Sequence, residues 1–482
     1  MAISAGDNLN KTPSPIKAAL STNYIDFING STGWEQQYLP DLMEAEAEVF
    51  GKRTVSGFLK QVGAEEAMTA DQVVWSEQGR LHLAYTGTID ASASEVTISG
   101  LVGSNASYTT ESHGLRVGDT CLVASATVTY PGRVSVVAAD VVTVLPYTQG
   151  HASETGIGMG DESVTILKYG SEWKKGSDTP YTTANEPSFL SYSNKPAIIR
   201  EMYQISGSDA SQIGWVEVTD EGGTGGYLWY LKAEGETRLR FMDNLEMTCL
   251  EGVMVANDST VETSIGGTGN TGKPAGTQGM FDAIADRGNK SSGITGVNAA
   301  TDLAEFDAIL AEFDKQGAIE ENMLFLNRST SLAMDDMLAS MNKSSAGGTS
   351  YGVFNNQEDM ALNLGFSGFR RGSYDFYKSD WKYLNDQGTR GAINDRATTD
   401  AIRGVIVPAG VSSVYDEQLG KNLKRPFLHV RYRSSQTDNR YMKTWTTGSV
   451  GATTSELDAM RINYLSERCL VTQGANNFML LN

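Results

Sequence analysis

A chain of 482 residues is long enough for two or three packed domains, and its 40% hydrophobic content is that of a globular protein. With 38 basic against 58 acidic residues it carries a net charge of −20, which argues against a nucleic-acid grip and suits a protein kept dispersed at high concentration. The 51 glycines against 11 prolines, without a repeat, predict many tight turns between short strands.

Residues 1 to about 35 are polar and carry Pro13 and Pro15, so they read as an extended arm. The opening lacks the charged-then-apolar pattern of a signal peptide, and no apolar run approaches membrane-spanning length. A cytosolic origin with reduced thiols and no membrane partner is therefore expected. From Gln37 to Gly63 the text turns helical, with Pro40 at a first-turn position. Met68 to Thr88 then gives two apolar-alternating runs either side of Gln78-Gly79, a hairpin-like pattern containing Trp75. His82 falls out of phase with Leu81 and Leu83, as a structural strand histidine does.

Residues 91 to about 168 change character. Val- and Thr-rich runs recur at near-regular intervals between Gly, Asn, Asp and Ser, which predicts an inserted small barrel or sandwich. The chain resumes through a polar, turn-rich stretch containing Lys174 and Lys175 and becomes strand-like at Ile198 to Ser206.

Gly225 to Val253 is the longest proline-free helical stretch, rich in Leu, Met, Glu, Lys and Arg. Leu228, Leu231, Met242, Leu245 and Cys249 recur at three- and four-residue steps, and a rod of about 40 Å is predicted. β-type text flanks it on both sides, so it reads as a spine. Beyond it, Gly267 to Lys273 has the spacing of a phosphate-binding loop. Pro274 stands where Ser or Thr must ligate Mg²⁺, so a flexible loop is expected rather than a nucleotide site.

Residues 277 to 430 read as α/β: helices over Gln278–Arg287, Thr301–Gln316 (Thr301 as N-cap) and Ser329–Met341, with a buried strand at Asn322–Asn327. An aromatic alternating stretch, FSGFRRGSYDFYKSDWKYLND, follows, in which Arg370 and Arg371 form a candidate contact patch. The tail holds three or four strands and ends on an apolar run, building a sheet beside the earlier spine.

Chemistry is scarce. His82, His113, His151 and His429 lie apart, and Cys121, Cys249 and Cys469 have no disulfide or zinc spacing. No nucleophile elbow, paired-cysteine motif or dinucleotide fingerprint is present. Carboxylates are plentiful, so counting them singles out no catalytic pair. No enzyme activity, cofactor or metal is expected.

The order of elements is similar to that of the major capsid proteins of tailed bacteriophages, which share the Hong Kong 97-like fold. Several stretches resemble those of crAss-like phages and their marine relatives: Tyr38 to Tyr85, Ser373 to Asp386 (SYDFYKSDWKYLND), Lys424 to Ser435 (KRPFLHVRYRSS), Met442 to Gly451 and Leu465 to Phe478. The resemblance implies an α+β fold with an N-arm, an E-loop, a spine helix, peripheral and axial domains, and an inserted β-barrel or sandwich module. Its implied boundaries are 1–60 for the arm and short helix, 61–90 and 169–215 for the E-loop limbs, and 91–168 for the module. The peripheral domain would be 216–275 with 431–482, and the axial domain 276–430.

It implies self-assembly into hexamers and pentamers of an icosahedral shell around double-stranded DNA, made in the host cytoplasm and residing in the virion. Portal and auxiliary or decoration proteins are the implied partners. Candidate contacts between subunits are Trp75, His82, Lys174, Lys175, Arg370, Arg371 and Arg425. Some family members weld an E-loop Lys to a neighbour's Asn, but two exposed lysines do not by themselves predict this. The alternatives are a nanocompartment (encapsulin-like) shell of the same fold and an adhesin built on the β-module.

Overall fold

The computed structural model describes residues 55–62, 64–78, 82–102, 113–148, 150–154, 156–176, 189–210, 217–219, 225–255, 260–264, 276–291, 299–316, 319–343, 368–396, 401–409, 411–416, 421–450 and 453–482. Among the described residues the first elements are α1 (Phe58–Val62), β1 (Ala64–Met68) and β2 (Val73–Gln78). Six strands follow: β3 (Ala84–Asp90), β4 (Glu95–Leu101), β5 (Asp119–Ala124), β6 (Thr129–Ala138), β7 (Val141–Pro146) and β8 (Ser163–Ser171). Next come β9 (Phe189–Asn194), β10 (Ala197–Ser206), α2 (Gly207–Ala210), β11 (Glu217–Thr219) and β12 (Gly225–Tyr227).

The middle of the chain is helical: α3 (Leu228–Glu251), α4 (Thr260–Ser264), α5 (Met280–Arg287), β13 (Asn289–Ser291), α6 (Ala299–Gln316), β14 (Glu321–Leu326) and α7 (Arg328–Lys343). Then follow β15 (Gly368–Arg371), β16 (Tyr374–Asp380), α8 (Lys382–Asn385), α9 (Arg390–Asn394) and β17 (Gly404–Pro408). The chain closes with β18 (Val411–Asp416), β19 (Lys421–Pro426), β20 (Leu428–Arg433), β21 (Lys443–Gly448), β22 (Ala459–Thr472) and β23 (Met479–Leu481).

Two compact units share these elements. The first contains residues up to Gln72, Asn194–Asp282 and Val411–Thr472. Its sheet runs β1-β20-β22-β10, with β21 also on β22. β22 is 14 residues long and pairs antiparallel with all ten residues of β10. The face of α3 that carries Phe241 and Leu245 packs on Ile462 and Tyr464 of β22. The Phe241 and Tyr464 rings lie 5.8 Å apart. The helix predicted over Gly225–Val253 thus begins at Leu228, because Gly225–Tyr227 is drawn into a short antiparallel pair with β11.

The second unit contains a closed six-stranded barrel in the order β3-β4-β7-β6-β5-β8 and a mixed six-stranded sheet in the order β13-β23-β17-β14-β16-β15. Barrel strands alternate buried and exposed residues, as in iBiBeBe over β3, so one face of each fills the interior. That interior is packed with Tyr85, Ile89, Val96, Ile98, Val123, Val134, Val142, Val144 and Ile166. Ala139, in the left-handed region at φ 50°, makes the β6–β7 turn with Asp140. In the mixed sheet, Phe306 and Phe313 of α6 meet the rings of β15 and β16, with Phe306 centred 5.2 Å from Phe376 and 5.7 Å from Phe369.

The structure corrects several sequence expectations. β2 does not form a hairpin with β3; it pairs with β9, while β3 joins the barrel between β4 and β8. The first barrel strand, β3, begins at Ala84. Thr301 is not an N-cap, since α6 starts at Ala299. Of the stretch predicted helical from Gln37 to Gly63, residues 55–62 lie within the described residues, and Phe58–Val62 of these is helix. The final strand leaves the tail sheet: β23 pairs with β13 and β17 in the second unit, where its burial on all three residues is met by Val405 and Ile406. The glycine-rich stretch at 267–273 lies outside the described residues.

Candidate functional site

Catalytic and ligand chemistry is thin in the folded chain. Among the described residues, no group of three or more His, Cys, Asp or Glu gathers to hold a metal ion, and no helix is long and apolar enough to cross a membrane. The three cysteines are free and buried, and burial, first of all, pushes each thiol up to about 12. Such thiols are poor nucleophiles at neutral pH. What the fold builds instead are two anchors and a surface.

The first anchor sits in the second unit, where β2 and β9 form a two-stranded ribbon. Its Arg287 guanidinium, at the end of α5, lies 4.3 Å from the Tyr192 ring centroid and 5.6 Å from that of Trp75. The Trp75 and Tyr192 rings are 6.2 Å apart. Glu77 completes the group: its Oε1 accepts the Trp75 indole N–H at 3.0 Å and the Gly474 backbone N–H at 3.0 Å, and lies 3.8 Å from Arg287. A two-stranded ribbon is marginal by itself, so this cation–π clamp and its carboxylate hold it in place.

A second anchor, in the first unit, marks where the chain returns to β10. The amide of Asn194, 1% exposed, donates to the Gln278 and Leu470 carbonyls at 2.9 and 2.6 Å. Its Oδ1 accepts from Gln278 N, Lys195 N and the Thr277 hydroxyl. Every polar atom of this buried side chain is paired, which fixes one chain direction.

The surface belongs to the barrel. Strand register aligns Tyr147 opposite Pro131, Pro131 opposite Leu122, and Leu122 opposite Leu167, a row of outward side chains crossing from β7 to β8. Beside it stand Leu145, Tyr169 and Trp173. Trp173 lies against Gly118, whose φ of 95° and missing Cβ make room for the indole. Arg133 stacks on that indole at 5.5 Å and donates its Nε–H to the Glu172 carbonyl at 3.1 Å. The Tyr147 hydroxyl donates to Glu172 Oε2 at 2.6 Å, and that hydrogen bond to a carboxylate, first of all, raises the phenol to about 12.

The residues singled out from sequence scatter over these features. Trp75 is buried in the Arg287 clamp. His82 is exposed just before β3, and Lys174 and Lys175 are exposed after Trp173. Arg370 pairs with Asp375 at 3.6 Å across the β15–β16 hairpin. Arg371 makes a two-pronged contact with Asp307 of α6, at 2.8 and 2.6 Å. Arg425 lies on β19, and its side chain is outside the described set. Within the second unit the other six lie on separate segments: β2, the residues before β3, the residues after β8, and β15. Arg287, Asn194 and Glu172 escaped the sequence reading because their roles come from long-range pairing; only the Asn194-Lys195-Pro196 turn between two apolar runs offered a local signal.

No protein-family model matches the chain, and no curated protein matches its sequence. Solved structures do match over nearly its whole length. A chain from a structure of Mycobacterium phage Ogopogo is 11% identical, with 93% of this chain and 98% of that one covered and a TM-score of 0.41. A chain from the capsid structure of the cyanophage P-SCSP1u is 8% identical, with coverage of 95% and 98% and a TM-score of 0.41. One from the asymmetric unit of the bacteriophage PhiM1 mature capsid is 7% identical, with coverage of 98% and 98% and a TM-score of 0.38.

Proposed function

We propose that this chain is the major capsid protein of a tailed bacteriophage, with a Hong Kong 97-like fold, and that it works by tiling with copies of itself. The observation that carries the reading is the 24-residue helix α3, packed on a sheet whose long strand β22 comes from near the end of the chain. A helix packed on such a sheet supports the spine and closing sheet that the sequence resemblance implies. The ribbon of β2 and β9 adds support, since Val74 is 63% and Leu190 48% exposed there. Apolar side chains on a two-stranded ribbon are best accounted for by a neighbour that covers them.

In this reading the ribbon and barrel belong to the E-loop excursion, and the mixed sheet with α6 and α7 forms the axial domain. The arm of this reading, residues 1–60, lies outside the described residues as far as residue 54. Hexamers and pentamers close an icosahedral shell around double-stranded DNA, and an acidic subunit holds that DNA without gripping it. No substrate is converted.

Negative-stain microscopy of the purified full chain tests this. Closed shells of uniform diameter are expected, whereas small monodisperse particles at every concentration overturn it. Nuclease-protected DNA in particles from infected cells separates a virion shell from a nanocompartment.

A further inference from the structure

The barrel is closed and its interior filled, so its use lies on the outside. Most of that outside is ordinary. Outward positions on β3 and β4 carry Thr88, Glu95, Thr97 and Ser99, as on any solvated strand. The row Tyr147–Pro131–Leu122–Leu167 differs: apolar side chains stand in register across β6, β5 and β8, and Tyr147, one residue past β7, extends the row through its N–H bond to the Pro131 carbonyl. Leu167 is 42% and the neighbouring Tyr169 59% exposed.

The ring cluster beside the row is built rather than accidental. Gly118 opens space for the Trp173 indole, Arg133 covers that indole, and Glu172 holds the Tyr147 hydroxyl. Tyr, Trp and Arg held rigid beside aliphatic surface are the composition of protein–protein hot spots, where ring area is ordered at little entropic cost.

Charge selects the partner. Each copy carries a net −20. Two such chains repel wherever acidic surfaces come within about 8–10 Å, the screening length at physiological salt. They can approach closely only where charge is sparse. Here acidic charge is sparse: the one carboxylate in the row and its ring cluster, that of Glu172, is held by the Tyr147 hydroxyl, while Arg133 and the exposed Lys174 and Lys175 after Trp173 are basic.

We infer that the barrel face formed by Tyr147, Pro131, Leu122, Leu167, Tyr169 and Trp173 is a self-association surface that docks on a second copy of this chain. The inference rests on the shell reading for its setting but makes a separate claim: the inserted barrel takes part in the contacts that hold copies together, rather than standing free.

Because all three native cysteines are buried, one introduced thiol reports its own surroundings. Leu167→Cys on β8 and Thr97→Cys, an exposed control on β4, are made in the full chain and labelled with a maleimide, in assembled particles and in dissociated subunits. The expected result is labelling of Leu167→Cys at least ~10-fold slower in particles, with Thr97→Cys unchanged, the slowing being the coverage of exposed apolar surface by a partner. Equal rates for Leu167→Cys in particles and subunits overturn the inference while leaving the shell reading standing.

If no particles form, the shell reading fails by itself. Sedimentation over a concentration series then decides: an oligomer that shields Leu167→Cys sustains the inference, and a monomer throughout overturns it. Leu167→Asp combined with Tyr169→Asp, checked by circular dichroism for an intact barrel, is expected to weaken assembly. Slower labelling of the monomer caused by an added neutral polysaccharide, without association of copies, overturns the choice of partner.

Discussion

Glu246 on α3 accepts the backbone N–H of Gly57 at 2.6 Å, and one helical turn earlier Asp243 accepts those of Val55 and Ser56, each at 3.0 Å. Glu246 also takes the Leu59 N–H at 3.2 Å. Two carboxylates three residues apart on one helix face thus satisfy the orphan donors at the start of α1, with Phe58 and Leu59 buried beside them. This clip ties the described start of the chain to the long helix.

Burial, ahead of all other causes, raises the Glu246 carboxyl above its usual range, although three backbone N–H groups pull it back. Asp243, Glu65 and the buried Arg468 are the charged neighbours that the shifts of Glu246 and Cys249 register. A folded-state pKa above the unfolded one means that the fold gains from binding this proton. The contribution is fully present below the unfolded value and lost as pH rises through the raised one. Glu246→Gln lacks this titration, so the stability of the native chain relative to the variant should be largest at acid pH and shrink towards neutrality. Urea unfolding across pH 4 to 7 measures it; a gap that widens with pH contradicts the assignment.

Gly57 has φ 123°, and a Cβ there would meet nothing within 4 Å. The cost of Gly57→Ala is therefore purely backbone strain, about 1–3 kcal/mol by thermal or chemical denaturation. Gly448, at φ 133°, differs because a Cβ would also collide with the Ala459 carbonyl oxygen in the β21–β22 pair. Gly448→Ala should cost more than Gly57→Ala.

Asn194→Asp keeps the shape of the side chain but turns the donor facing two carbonyl oxygens into an acceptor. Leaving the Gln278 and Leu470 carbonyls unpaired beside a buried charge should cost about 2–5 kcal/mol. Hydrogen exchange around the start of β10 should accelerate in step with the loss of global stability.

Arg287→Lys retains the charge but loses the planar face that stacks on Tyr192 and Trp75. A loss of about 0.5–2 kcal/mol is expected, with a red shift in Trp75 emission as its environment becomes wetter. No change in either measurement would show that the clamp is only geometric proximity.

The three native thiols should stay unreactive to a disulfide reagent in the folded chain and react together on unfolding, since burial disfavours the thiolate at each.

Local pattern determined a good deal of this protein. The period-two alternation of residues 95–101 and 141–146 wrote barrel strands with one buried face, and the three- and four-step spacing of Phe306, Ile309, Leu310 and Phe313 wrote the buried stripe of α6. Those periods are properties of a single segment, and burial follows from them directly.

Partner choice was decided only in three dimensions. Val73–Gln78 read as half of a hairpin because the Gln78-Gly79 turn is adjacent, yet its mate is Phe189–Asn194, and β23 left the tail sheet to lie between β13 and β17. The candidate site shared that fate: Trp75 was visible as an aromatic in a strand, but nothing local names Arg287 as the cation over it. Pairing between distant segments depends on which edges and cavities the rest of the chain leaves open. That information is spread over the whole sequence rather than held within any one window of it.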